Sequence, residues 1–300
     1  MALKVSPATA PCSWGVWYAD GGPSRTPWNI FLDQAAEAGY DSLELGPGGY
    51  LPADEGALRE ELARRRLSVA AGTACYRFDR YGDFSDFRAP LEALCRRIQA
   101  FNGSFLVTMD ESDVGRFGEK KKTYPPGLWE KYFTMFREMG GFTKNEFGIE
   151  TVFHPHIRSL IETEGEIIRL IDRTGLRLCF DNGHYVYVNG GIKQGDRSAS
   201  DFIRAHAESI AYLHFKNVDG KIRKRVLAEG FDSDTAFDMD VMCDLREGII
   251  DYLELKETLN SIDFRGIGVI EMDMPRASTA EAFAAAKRNL AYLKEIAVIG

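Results

Sequence analysis

Short runs of apolar and β-branched residues alternate along this chain with longer segments whose apolar positions recur at i, i+3 and i+4. The two periods predict strands and amphipathic helices in regular alternation. A first strand is expected to end near Pro11-Cys12-Ser13-Trp14-Gly15, and others to cover residues 42–45, 68–72, 104–109, 149–154, 176–181, 210–215 and 267–271. Helices are expected over residues 27–38, 58–65, 87–101, 127–145, 164–174, 200–208 and 279–296. In the first of these Trp28, Phe31, Leu32, Ala35 and Ala36 share a face before Gly39 ends it. Eight strands in alternation with helices is the pattern of a closed (β/α)8 barrel, an α/β fold that takes residues 1–300 as a single domain. Residues 219–248 exceed an ordinary βα turn and are rich in acids and aromatics, so they are expected as an extended loop after strand 7, lying over the barrel mouth.

Composition narrows the function. A content of 45% apolar and 27% charged residues excludes a disordered or fibrous chain, and a net charge of −8 removes the electrostatic reason to expect nucleic acid as partner. The five cysteines form no CxxC pair, which points to reduced thiols and a cytoplasmic location. No apolar run is long enough to span a membrane, and the N-terminus does not read as a secretory leader.

Catalytic groups of such barrels come from the C-terminal ends of the strands. Those ends supply Trp14, Glu44, His154, His156, Asp181, His184, His214, Lys216 and Glu271; of the five histidines only His206 lies elsewhere, in a helix, as a structural or surface residue. Asp181, His214 and Glu271 close three late strands, and two carboxylates with an imidazole are the donor set of a divalent metal. A fourth ligand is expected from the fifth strand or its loop, either Glu162 or His154. Taken singly, Asp181 also suits a helix cap through the turn Asn182-Gly183, and Trp14 and Trp17 suit either plain packing or the apolar wall of a sugar site. The run Lys120 to Lys122 reads as a solvated loop that can also face an anionic substrate group.

The segments Pro11-Cys12-Ser13-Trp14-Gly15, Glu44-Leu45-Gly46-Pro47-Gly48-Gly49-Tyr50-Leu51-Pro52, Phe153-His154-Pro155-His156, Phe180-Asp181-Asn182-Gly183-His184, His214-Phe215-Lys216-Asn217-Val218 and Val269-Ile270-Glu271 arrive in the order of one superfamily. Together they resemble the xylose-isomerase-like TIM barrels, the sugar phosphate isomerase/epimerase superfamily, and within it most the inosose dehydratase branch. The resemblance implies a Mn, Co or Mg ion, most naturally Mn, with Asp181, His214 and Glu271 at ligand positions and Glu162 favoured over His154 as the fourth. It also implies a homodimer or homotetramer. The chain departs from the superfamily pattern in having His154-Pro155-His156 where many members have a Glu followed by a His, and Asn182 where a Thr is usual.

A hard cation on this donor set polarises a ketone and acidifies its α-C–H, so that a carboxylate or imidazole can take the proton and leave an enediolate. The expected activity is therefore a metal-dependent dehydratase or β-eliminating lyase on a keto-inositol, a 3-keto sugar or a 3-keto glycoside; the alternative is a keto-sugar isomerase or epimerase. His156 or Glu271 is expected as the base, and His154 or Glu44 to assist departure of the leaving group. Lys216 and His184 are expected to bind substrate hydroxyls or the enediolate, with Trp14 and Arg276 completing the substrate contacts. A non-catalytic sugar-binding barrel is the reading from another class, and a multi-metal endonuclease is disfavoured by the few histidines and the acidic balance.

Overall fold

The apolar runs fold into eight parallel strands that close on themselves, with helices packed around the outside. The structure, a computed structural model, describes residues 4–17, 26–112 and 126–300. Residues 18–25 and 113–125, with them the run Lys120 to Lys122, lie outside the described residues.

The barrel strands are β1 (Lys4–Thr9), β2 (Ser42–Glu44), β3 (Ser68–Tyr76), β4 (Phe105–Asp110), β5 (Glu150–Phe153), β6 (Arg177–Asp181) and β7 (Ile210–Phe215). A short antiparallel pair, β8 (Asn217–Val218) with β9 (Met242–Cys243), follows, and β10 (Arg265–Ile270) closes the barrel between β7 and β1. The outer layer carries α1 (Trp28–Ala38), α2 (Glu55–Arg65), α3 (Ser85–Ala100), α4 (Pro126–Phe147) and α5 (Glu164–Thr174). It continues with α6 (Asn182–Asn189), α7 (Ser198–Ala205), α8 (Gly220–Glu229), α9 (Ser233–Asp238), α10 (Tyr252–Ser261) and α11 (Thr279–Glu295).

The two faces of each strand bury into two separate cores. Val152, Cys179, Tyr212 and Val269 join Ala8, Ala70, Ala71 and Val107 inside the barrel, while Phe153, Leu178, Phe180, Leu213, Phe215 and Ile270 pack in the core shared with the helices. Successive strand residues point to opposite faces. His154, Asp181, His214 and Glu271 each stand two residues beyond an inward-facing one, so strand geometry alone turns all four toward the barrel axis at its C-terminal end.

Two expectations change. The first strand stops at Thr9, because Pro11 has no N–H to give to a ladder and begins a short 3-10 turn, Pro11–Trp14, that Gly15 closes at φ 72. Residues 219–248 are mostly helical rather than a loop. Their acids are helix caps: Asp219 accepts from the amides of Lys221 and Ile222 at the start of α8, and Asp232 accepts from the Thr235 amide at the start of α9. The helix that follows the seventh barrel strand is α10, capped by Asp251. Among the described residues no helix is long and apolar enough to cross a membrane, and all five cysteines are free thiols.

Candidate metal centre

His214 stands at the middle of the mouth, 3% exposed. Its Nε2 lies 3.0 Å from Glu44 Oε1, and that carboxylate also accepts from Thr73 Oγ1 at 3.0 Å. Glu44 thus fixes the tautomer with Nε2 protonated, leaving the Nδ1 lone pair to face inward. Nδ1 is 3.1 Å from Glu271 Oε2 and 3.7 Å from Asp181 Oδ2. Burial opposes a charge on His214, but Cys179 and the carboxylates of Glu271 and Glu44 outweigh it and raise the imidazole well above its usual range. Glu271 is pushed upward by burial, yet His214 and Lys216 hold it well below the usual carboxylate range. Asp181 is raised, because burial outweighs Lys216 and His214.

These groups fit a divalent cation. Asp181 Oδ2 and His214 Nδ1 are buried and take no well-directed hydrogen bond among the described residues, their near neighbours being the charged Lys216 Nζ and Glu271 Oε2 at 3.1 Å. Donors around a small divalent ion at bond lengths of ~2.1 Å stand about 3 Å apart, close to the observed Nδ1 to Oε2 separation. A cation already suits the position: the Lys216 ammonium lies 3.1 Å from Asp181 Oδ2 and 3.0 Å from Glu271 Oε2.

Asp181 does two jobs. Its Oδ1 caps α6 by accepting the His184 amide at 2.8 Å, while its Oδ2 faces the centre. The packing of α6 on the site requires Gly183, where a Cβ would overlap the Lys216 side chain. Lys216 is clamped by Asp273 Oδ2 at 2.8 Å and reaches His184 Nε2 at 3.0 Å.

Next to the carboxylates lies a cluster of imidazoles. His154, His156 and His184 offer ring nitrogens all within 4.8 Å of one another. Burial, reinforced by Lys216, holds His156 down at about 4 and His184 well below its usual range. Burial and the neighbouring His214 do the same to His154. Near neutral pH all three are uncharged.

The structure therefore gathers Glu44, His154, His156, Asp181, His184, His214, Lys216 and Glu271 at the mouth. Glu44 contacts His214 directly and can orient its imidazole. Of the two candidates for fourth ligand, His154 is adjacent, with Nε2 4.0 Å from Asp181 Oδ2. Glu162 is buried in the loop after β5, where its carboxylate accepts the Arg158 amide at 2.8 Å. Trp14 is corrected to a core residue: it is 1% exposed, packs edge-on against Phe31 at 5.0 Å and donates Nε1 to Gln34 Oε1. Its strand ended too early to carry it to the mouth. Trp17 is 36% exposed, with its ring 6.0 Å from Phe237. Arg276 is largely exposed and paired with Asp238 at 2.6 Å. The sequence reading missed Asp273, although it stands two residues beyond Glu271 and so shares its face.

The profile of the xylose isomerase-like TIM barrel family matches residues 32–296. The inosose dehydratase of Bacillus velezensis (strain DSM 23117 / BGSC 10A6 / LMG 26770 / FZB42) is 25% identical over 280 residues, covering 88% of this chain and 90% of the relative. The rhizopine catabolism protein MocC of Rhizobium meliloti is 28% identical over 292 residues, covering 91% and 82%. Among solved structures, an IOLI protein with a bound zinc atom superposes with a TM-score of 0.71 at 13% identity, covering 96% of this chain and 98% of that one. The closed eight-stranded barrel and the family match over residues 32–296 place this chain in the xylose isomerase-like TIM barrel family.

Proposed function

We propose that this chain is a divalent-metal-dependent lyase that eliminates water or an alcohol from a keto-inositol, a 3-keto sugar or a 3-keto glycoside. Support comes first from one observation: three neutral imidazoles, His154, His156 and His184, stand within 4.8 Å of one another beside a buried carboxylate and imidazole donor set. Asp181, His214 and Glu271 would hold the ion, with His154 beside them. When bound, a divalent ion supplies Lewis acidity that lowers the pKa of the C–H next to a ketone.

The remaining steps belong to the chain. His156 donates its Nδ1–H to the Ile157 carbonyl, 2.7 Å away, which leaves the Nε2 lone pair free to take the α-proton. With an ordinary value of 6.5 depressed to about 4, the ring is in its basic form throughout the neutral range. The electron pair of the broken C–H bond forms the new C–C double bond, and the β C–O bond breaks with its pair on oxygen. The proton held by His156 passes to that oxygen, directly or by way of His154, whose ring centre lies 5.5 Å from that of His156. Water or alcohol leaves and His156 is neutral again, so the cycle balances. Lys216 and His184 donate to the substrate oxygen on which negative charge accumulates.

Curated relatives named inosose dehydratase support the elimination outcome. The test is incubation of the Mn-loaded protein with keto-inositols and 3-keto sugars, following enone absorbance and product mass. Loss of water or alcohol is the expected result; unchanged mass with an altered configuration or carbonyl position assigns an isomerase or epimerase instead.

A further inference from the structure

Glu44, His154, Asp181, His184, His214, Lys216 and Glu271 are all less than 5% exposed. Of the groups gathered at the mouth only His156 is partly exposed, so a ligand that is to reach the others needs something above them to move. Among the described residues the covering element is α9. Phe237 on this helix is 6% exposed, and its ring sits 6.4 Å from His184 and 6.0 Å from Trp17. Two ion pairs tie the helix down on opposite sides: Asp234 with Arg158, in the connection after β5, and Asp238 with Arg276, in the connection after β10. All four partners are 36% or more exposed, so both pairs face water and are weak enough to break. The helix is flanked by two left-handed residues, Gly230 at φ 68 and Asp240 at φ 59, where the backbone reverses direction.

We propose that α9 is a latched lid that swings between Gly230 and Asp240 to admit the ligand, is held shut by Asp234–Arg158 and Asp238–Arg276, and lays Phe237 against the ligand's apolar face. The gating follows from the cover and its fastenings alone; the role of Phe237 as the wall for ring C–H groups rests on the keto-sugar reading above.

The test labels the covered imidazoles. Diethylpyrocarbonate carbethoxylates accessible neutral histidines, and peptide mass spectrometry separates the covered mouth histidines His154 and His184 from His206, which is partly exposed and lies at the end of α7 away from the mouth. At low salt, the double variant Asp234→Asn/Asp238→Asn is expected to label the mouth histidines about three- to tenfold faster than wild type, with His206 unchanged. At high salt, wild type speeds up toward the variant, since exposed ion pairs are screened. Equal rates at low salt overturn the latch, and so does a parallel rise at His206, which would mean general loosening. In the second arm, Phe237→Ala raises KM for a keto sugar more than it lowers kcat; a fall in kcat at constant KM overturns the wall role. If wild type turns over no keto sugar, the functional reading fails while the labelling result still decides the lid.

Discussion

Glu44 is the direct hydrogen-bond partner of His214 Nε2, and its removal is the perturbation that the site geometry makes most specific. Its carboxylate lies 3.0 Å from His214 Nε2, with both side chains nearly dry at 4% and 3% exposure. Removing an outer partner of a ligating imidazole typically weakens metal affinity 10- to 100-fold, or about 1.4–2.8 kcal/mol. Glu44→Gln keeps an acceptor for the imidazole N–H but loses its charge, and is expected near the lower figure. Glu44→Leu also strands the His214 N–H and the Thr73 hydroxyl in a dry interior, and is expected near the upper one. The assay is calorimetric titration of chelator-treated protein with Mn, with Asp263→Asn, a change in an exposed ion pair, as the control. The titration belongs well above neutral pH, because Glu44 also raises the proton affinity of His214 and its removal would otherwise relieve proton competition for the same nitrogen. Wild-type affinity in both Glu44 variants would refute the reasoning.

Other expectations follow from the same contacts. His156 is depressed from 6.5 to about 4, so if it is the base, the acid limb of kcat/KM falls near pH 4 rather than near 6.5, as a pH–rate profile will show. The unfolded chain binds protons at this position between pH 6.5 and about 4 while the folded chain does not, so stability is lost as pH falls through that window. Because the ring is only partly covered, its share is about 1–2 kcal/mol rather than the roughly 3 kcal/mol of the full shift, measurable by urea unfolding of wild type and His156→Gln at both ends of the window. Trp14→Ala should cost about 3–5 kcal/mol in the same assay while leaving Mn affinity unchanged, because Trp14 packs in the helical core and not at the mouth. Asp110 accepts from the Leu160 amide at 3.0 Å and from Ser112 Oγ at 2.5 Å, tying β4 to the loop that carries Glu162; Asp110→Ala leaves both donors buried and should destabilise by about 2–4 kcal/mol.

Most of the site was legible because a strand has period two and a barrel has one axis. Once Cys179, Tyr212 and Val269 are read as inward-facing, Asp181, His214 and Glu271 follow without any contact information, and so does Asp273 one step further on. What sequence does not carry is which side chains meet across the mouth. Glu44 and His214 are 170 residues apart, and only the closed barrel reveals that one holds the other. The stretch after the seventh barrel strand misled for a local reason: its acids read as the polar residues of a long loop, whereas Asp219 and Asp232 each precede a helix and satisfy its first amides. Trp14 misled through register, since a strand that stops at Thr9 cannot deliver a residue five positions later to the mouth.

The claim at the centre of this account is that the chain removes the α-proton of a keto sugar and expels a β-oxygen substituent. Mn-loaded protein incubated with a 3-keto glycoside or keto-inositol in deuterated water, followed by proton NMR and mass spectrometry, addresses it most directly. The account predicts loss of the α-proton signal together with release of water or alcohol, both abolished in His156→Ala with Mn still bound. Retention of the α-proton across both substrate classes, with the metal demonstrably in place, would contradict it.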